Sequence, residues 1–251
     1  YLFDDFANIT TNSSLVIESL TWQSLWDAAV SSFSGPFKRP ASMLSFAFNA
    51  STTGFGAPLY FKLTGLFVHL LTGVAVYWLA GLLLDRFRPP LPAGVAPARI
   101  DWTRLLITGI WLLHPLNLTT VLYIVQRMTS LSALFAFVAA GLYCVGRVRL
   151  ERRKAYGWVA IGLALLVAMP LSVLSKENGI LVPVLLCAIE ITAFDYRALA
   201  QRDRISLGVI GALLVVVPGC LFVLATVVQD PRLFSSYKIR DFDIWERVFT
   251  Q

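Results

Sequence analysis

Long apolar runs alternate with short polar ones along this chain, and the runs are too long to be strands of a soluble domain. A bilayer core roughly 30 Å thick needs about 20 mostly apolar helical residues to cross it. Six stretches approach that length: 57–84, 98–114, 128–146, 155–174, 180–194 and 206–228. The second and fifth are short, which predicts a tilt, a break or an extension past these bounds. None alternates with period two over about ten residues, as a barrel strand would. Residues 1–56 read differently. There Trp22, Trp26, Phe33 and Phe37 fall at spacings suited to amphipathic helices lying on a membrane surface. The expected fold is all-α, a polytopic membrane helical bundle. It comprises an outer loop over 1–56, a bundle over 57–228 and the start of a further outer segment over 229–251. The abrupt start at Tyr1, without a signal peptide, and the end in mid-pattern at Gln251 lead us to expect an upstream membrane helix and a longer parent protein.

Composition supports the membrane reading. Hydrophobic residues make up 57% of the 251 and charged residues 14%, with a mean hydropathy of +0.70. Soluble domains carry about 25% charged residues, so a soluble fold and a disordered chain are both excluded. The three cysteines, Cys144, Cys187 and Cys220, lie in apolar runs without metal spacing and read as small packing residues.

The net charge of +6 and a pI near 9.4 raise the question of nucleic acid. The distribution of charge answers it. Ten basic residues fall in three short loops: Arg86 and Arg88, then Arg147, Arg149, Arg152, Arg153 and Lys154, then Arg197, Arg202 and Arg204. Dense Lys/Arg in short loops fixes orientation, so these loops are expected in the cytoplasm. Residues 1–56, 115–127, 175–179 and 229–251 then face the other side. Nucleic acid is not an expected partner.

The unusual polar residues gather on that outer side. Asp4-Asp5 sits in an aromatic setting, where a carboxylate can act as general base or as ligand for a divalent metal. Lys38-Arg39 reads as an interfacial anchor or, through Arg39, as a bidentate phosphate contact. His69 lies within the first apolar run, where an ionisable group is a functional candidate unless it is a neutral ring bonded to a neighbouring helix. His114-Pro115 marks a helix break, and Arg127 opens the next helix; together they suit an anion, or else a capped end with a snorkelling Arg. Ser175-Lys176-Glu177-Asn178-Gly179 joins two apolar helices with almost no room for a solvated loop, so Lys176 and Glu177 must be engaged by partners. Tyr237-Lys238-Ile239-Arg240-Asp241 adds Arg240 to the same side. No P-loop, dinucleotide glycine pattern, HExxH or GxSxG occurs. One-sided acids and cations near a membrane face fit a lipid-linked phosphate substrate.

Several of these motifs are familiar in order. Arg39-Pro40-x-x-x-Leu44-Ser45-Phe46-x-x-Asn49, then Pro58-Leu59-Tyr60-Phe61-x-Leu63 and His69, resembles the multispanning GT-C glycosyltransferases. The likeness is strongest to the transmembrane-and-tetratricopeptide branch and its bacterial relatives. Leu113-His114-Pro115 with Arg127 resembles that family's His-Pro…Arg segment, and Ser175-Lys176-Glu177-Asn178-Gly179 is similar to its Lys-Glu-x-Gly loop. The resemblance implies transfer of a sugar from a polyprenyl-phosphate donor to an acceptor protein or glycan on the outer face. Asp4 or Asp5 would be the catalytic base. Arg39, Arg127, Lys176 and Arg240 would hold the departing phosphate, with His114, Glu177 and His69 positioning substrates. The family varies in metal use, so a divalent metal at Asp4 and Asp5 stays open as the cofactor. After His114-Pro115 the family's acidic residue is absent, and no tetratricopeptide array is present.

The rivals are an O-antigen ligase or polymerase, a transporter, or a scaffold subunit with protein partners of its own. Paired broken helices or internal repeats, the mark of many transporters, are not found. Four Asn-x-Ser/Thr sites (Asn8, Asn12, Asn49 and Asn117) fall outside and would be glycosylation acceptors in a eukaryotic secretory membrane. Sixteen Arg against five Lys favours a bacterial inner membrane with a periplasmic site.

Overall fold

The computed structural model describes residues 1, 4–34, 37–87, 101–150 and 154–194, together with Gly208 and Gly211. The chain divides into two compact units, Tyr1–Ile205 and Ser206–Gln251. The sixth apolar stretch, 206–228, and Arg240 lie almost wholly outside the described residues. The continuous helical elements all belong to the first unit. Every described element is helical, and four helices are long and apolar enough to cross a membrane: Pro58–Phe87, Ile124–Leu150, Lys154–Ser175 and Glu177–Phe194. The chain is an integral membrane protein built as a helical bundle.

Ahead of the bundle come α1 (Trp22–Ala29) and α2 (Pro40–Thr53). Thr21 caps α1 in a reciprocal box with Ser24. Pro40 at the first position of α2 places its missing N–H where no helical partner exists. Lys38 and Arg39 both hold positive φ, 57° and 48°, which turns the chain sharply into α2.

Helix α3 (Pro58–Phe87) is 30 residues long, about 45 Å at helical rise, longer than the hydrocarbon core. Its partner α4 (Trp102–Leu112) begins at an Asp101 cap that accepts the Arg104 amide N–H at 3.3 Å. Gly81 leaves room for the Arg104 guanidinium, which pairs with Asp85 at 2.6 Å and Asp101 at 2.8 Å. The expected span over 98–114 is broken. His114-Pro115 ends α4, a single turn follows over Pro115–Asn117, and α5 (Leu118–Leu122) leaves with a bend of 51°. A break among apolar residues strands carbonyls that must find donors. His69 on α3 supplies one, its Nε2 lying 3.1 Å from the Leu112 carbonyl, and Asn117 Nδ2 donates to the Trp111 carbonyl at 2.6 Å. The His69 ring also stacks on Trp111. Of the two readings of His69, the observed contact is a bond to a neighbouring helix.

The spans over 128–146, 155–174 and 180–194 each prove somewhat longer. Helix α6 (Arg127–Leu150) is preceded by a turn at Ile124–Gln126, α7 (Lys154–Leu163) continues through a wide turn at Ala164–Ala168 into α8 (Met169–Ser175), and α9 (Val182–Ile189) lies between the turns Glu177–Leu181 and Glu190–Phe194. The wide turn precedes Pro170, which has no N–H for the preceding turn to bond, so the backbone loosens there. Small residues let the helices meet, as in other membrane bundles. A Cβ at Gly146 would meet the Gly157 carbonyl at 2.8 Å, Gly141 receives Trp78, and Gly179 lies against the Ser172–Val173 backbone.

One basic residue assigned to a loop is a core residue. Arg147 belongs to α6 and is fully buried. Its Nε and terminal nitrogen donate to Glu190 at 2.7 and 2.9 Å, and the Tyr143 hydroxyl donates to the same carboxylate at 2.7 Å. Phe194 stacks against both Arg147 and Arg86. A buried charge whose partner is removed costs about 3–5 kcal/mol, whereas replacing both members with apolar groups is often neutral. Glu190→Ala should therefore lose about that much stability in denaturant melts of the detergent-solubilised protein. The double variant Arg147→Met, Glu190→Leu should recover most of it.

Candidate functional site

Residues from four parts of the sequence converge on seven consecutive positions, Tyr123–Thr129, where α6 begins. Asp5 is 1% exposed and its Oδ1 accepts the Val125 N–H at 2.7 Å. Asp5 is buried because Asp4 and Asp5 start a helical turn that runs on through Phe6–Thr10 and packs Ile9 into the core. Asp4 keeps an exposed side chain, and its amide N–H donates to the Tyr123 hydroxyl at 3.0 Å. Burial pushes the Tyr123 phenol above its usual range; the Asp4 and Asp5 carboxylates add to that, and the Asp4 amide opposes it.

Arg127 is not a snorkelling surface residue. It is 1% exposed, and its terminal nitrogens donate to the Ser45 carbonyl at 3.0 Å, Asn49 Oδ1 at 2.6 Å and the Phe61 carbonyl at 3.1 Å. Phe46 and Phe61 stack on the guanidinium at 4.5 and 5.6 Å. The fork thus fastens the start of α6 to α2 and α3.

Arg39 and Glu177, which the sequence placed in separate segments, form the next layer. The guanidinium grips the carboxylate with Nε at 3.0 Å and a terminal nitrogen at 2.9 Å. The second terminal nitrogen reaches Met128 Sδ at 3.4 Å. Glu177 is therefore paired with Arg39 and not with its neighbour Lys176. Lys176 instead donates to Thr129 Oγ1 at 2.6 Å, and Thr129 donates to Gln126 Oε1 at 2.6 Å. The ammonium has three donors, one of them used by Thr129. Desolvation and then the Arg39 charge lower the Lys176 pKa, against a smaller opposing effect of Glu177. Ser42 Oγ donates to the Ser175 carbonyl at 2.8 Å and ties this loop to α2.

Asp4, Asp5, Arg39, Arg127, Lys176 and Glu177 are thus gathered around one segment. His69 and His114 stand apart at the α4–α5 break, His114 exposed with Nδ1 accepting the Leu116 N–H at 3.2 Å. Arg240 lies outside the described residues. Among the described residues no group of three or more His, Cys, Asp or Glu side chains could hold a metal ion. Tyr123 and Thr129 were not singled out from the sequence, since a hydroxyl in a mixed stretch carries no distinctive pattern.

The glycosylation reading is also corrected. Asn8, Asn12 and Asn49 are buried, and their amide nitrogens are committed to the Asp4 carbonyl, Ser31 and Thr64 respectively. Asn117 donates into the α4 break. No family model, curated protein or solved structure matches this chain.

Two measurements probe the site as built. Arg127→Lys keeps the charge but loses the planar fork, and should cost about 2–3 kcal/mol in denaturant melts, the scale of a charge-assisted hydrogen bond left unmade. The second concerns Lys176. Its folded pKa lies below the ordinary 10.5, so between the two values the unfolded chain binds more protons than the folded one. Stability should rise with pH through that alkaline window and be reduced below it. Lys176→Met should flatten this rise in melts recorded as a function of pH.

Proposed function

We propose that the chain is a membrane glycosyltransferase of the GT-C type, which moves a sugar from a polyprenyl-phosphate donor to an acceptor hydroxyl at the membrane's outer face. The observation that carries this reading is the convergence on Tyr123–Thr129. Acids from the first outer segment, the Arg39–Glu177 pair and the Lys176 ammonium stand together at the end of the bundle from which α3 and α6 start.

In this reading the labour is divided among these residues. Asp4 is the exposed carboxylate and takes the part of general base, accepting the proton of the acceptor hydroxyl as that oxygen attacks the sugar's anomeric carbon. Asp5 holds the Val125 backbone and keeps Asp4 in register. Lys176 meets the negative charge that develops on the departing phosphate. Arg39, gripped by Glu177, flanks it as a second positive charge. Arg127 serves as the buried anchor, so its place in the phosphate site passes to Lys176. The acceptor is a protein or a glycan, and the setting is a bacterial inner membrane with the site in the periplasm.

The test is transfer from a purified polyprenyl-phosphate sugar by the reconstituted protein. Asp4→Asn should lower transfer by about 10²-fold or more at unchanged thermal stability, the range expected for loss of a general base. Lys176→Ala should raise the donor concentration needed for half-maximal rate. Full transfer by both variants would remove Asp4 and Lys176 from these roles, and no transfer by the unaltered protein would return the chain to the scaffold or transporter alternatives.

A further inference from the structure

A recess of about 710 Å³ runs along α4, lined by Trp102, Leu106, Gly109, Ile110, Leu113 and His114, and almost all of its wall is apolar. It shares no residue with the Tyr123–Thr129 cluster. Its volume falls within the roughly 300–1,000 Å³ of ordinary small-molecule sites. The helix that forms it has 11 residues, about 16 Å of rise, close to one leaflet of a core roughly 30 Å thick.

Two observations indicate what fills it. Where α3 meets α4, glycine lies at the contact: Gly73 receives Leu112 and Gly81 receives Arg104 on the inner side of α4. The outer side of α4 is the reverse. Trp102 is 72% exposed, Leu106 65%, Ile110 60% and Leu113 84%. Small residues favour helix–helix approach in membranes, whereas bulky apolar faces meet lipid tails as well as they meet protein. Among these side chains Gly109 forms a gap, with no atom within 4 Å of where its Cβ would stand. The second observation is His114, the polar side chain at the end of the recess beside the helix break. Its Nδ1 accepts the Leu116 N–H, so the neutral ring carries its proton on Nε2 and offers a donor there.

We infer that this recess is a binding site for a bilayer phospholipid. One acyl chain lies along α4 over Gly109, and His114 donates to an oxygen at the polar end of the lipid. The ligand class follows from the chemistry of the wall, a slender hydrocarbon path ending in a single hydrogen-bond donor.

The test places the whole protein in nanodiscs that contain a phospholipid with a diazirine on its acyl chain, and maps photocrosslinks by mass spectrometry. Crosslinks should concentrate on residues 102–115 over the equally apolar exposed face of α3 at Leu63, Phe67 and Val74. Gly109→Trp fills the gap from a position where an added Cβ meets no neighbour, and should abolish that concentration without lowering the melting temperature. His114→Phe should keep the crosslink positions but reduce capture about five-fold, the factor carried by one hydrogen bond of ordinary net strength. Crosslinks spread evenly over α3 and α4 would overturn the inference, as would protection of α4 by another helix or a second copy. So would unchanged capture in His114→Phe. Displacement by polyprenyl phosphate but not by excess phospholipid would assign the recess to the donor lipid instead.

Discussion

Burying a guanidinium away from water is costly unless its donors are met, and the end of this bundle where α3 and α6 start is organised around engaging the two terminal nitrogens of Arg127. The fork reaches two backbone carbonyls and one side-chain amide on two other helices, and two phenyl rings cover its faces. A bond from one side chain to both α2 and α3 fixes where α6 can start. Once that start is fixed, Val125 presents its N–H to Asp5, Met128 stands beside Arg39, and Thr129 receives Lys176. The candidate site is the surface of a structural knot, and its charges hold the helices together.

The same economy recurs at the helix break and at Glu190. Ending α4 at His114-Pro115 frees carbonyls among apolar neighbours, and the polar groups that satisfy them come from α3 and from just beyond the break. Glu190 draws Arg147 and Tyr143 from α6, so α6 and α9 share an ionic contact as well as apolar packing. Each of these polar side chains inside the bundle answers a specific unsatisfied group, as a low-dielectric interior requires.

Much of the bundle is legible in the sequence. Four of the apolar runs mark membrane-length helices with only their ends misplaced, because burial in lipid imposes a length requirement; the run over 98–114 ends in a break, and 206–228 lies outside the described residues. The break at 114–115 is legible because proline cannot continue a helix. Partners are harder to read. Glu177 lies beside Lys176 in the chain, yet the helical turn that starts at Glu177 sends its carboxylate toward Arg39, 138 positions away. Arg147 reads as a topological charge because its neighbours Arg149, Arg152 and Arg153 are of that kind; only Glu190, an acid inside an apolar run, hints at a buried counterpart. The exposure of Asp4 against the burial of Asp5 depends on a turn of helix that two adjacent carboxylates do not disclose. Pairings of this sort are set by tertiary packing, and no local pattern records them.

The span of chain between partners has a bearing on how the molecule is made. Asp5 is joined to Val125 across 120 positions, Arg127 to Asn49 across 78 and Arg39 to Glu177 across 138. As a ribosome feeds the chain into the bilayer, the first segment emerges with none of its contacts available. It must wait while α3 to α8 are inserted, and Arg39 finds Glu177 only when the segment after α8 has been made. The chemistry-bearing end is thus completed late in biogenesis, since non-local contacts must overcome loop closure before they stabilise anything. An insertion error in a late helix would then leave the residues ahead of α3 without their partners, exposed to proteases while the rest of the bundle stands intact.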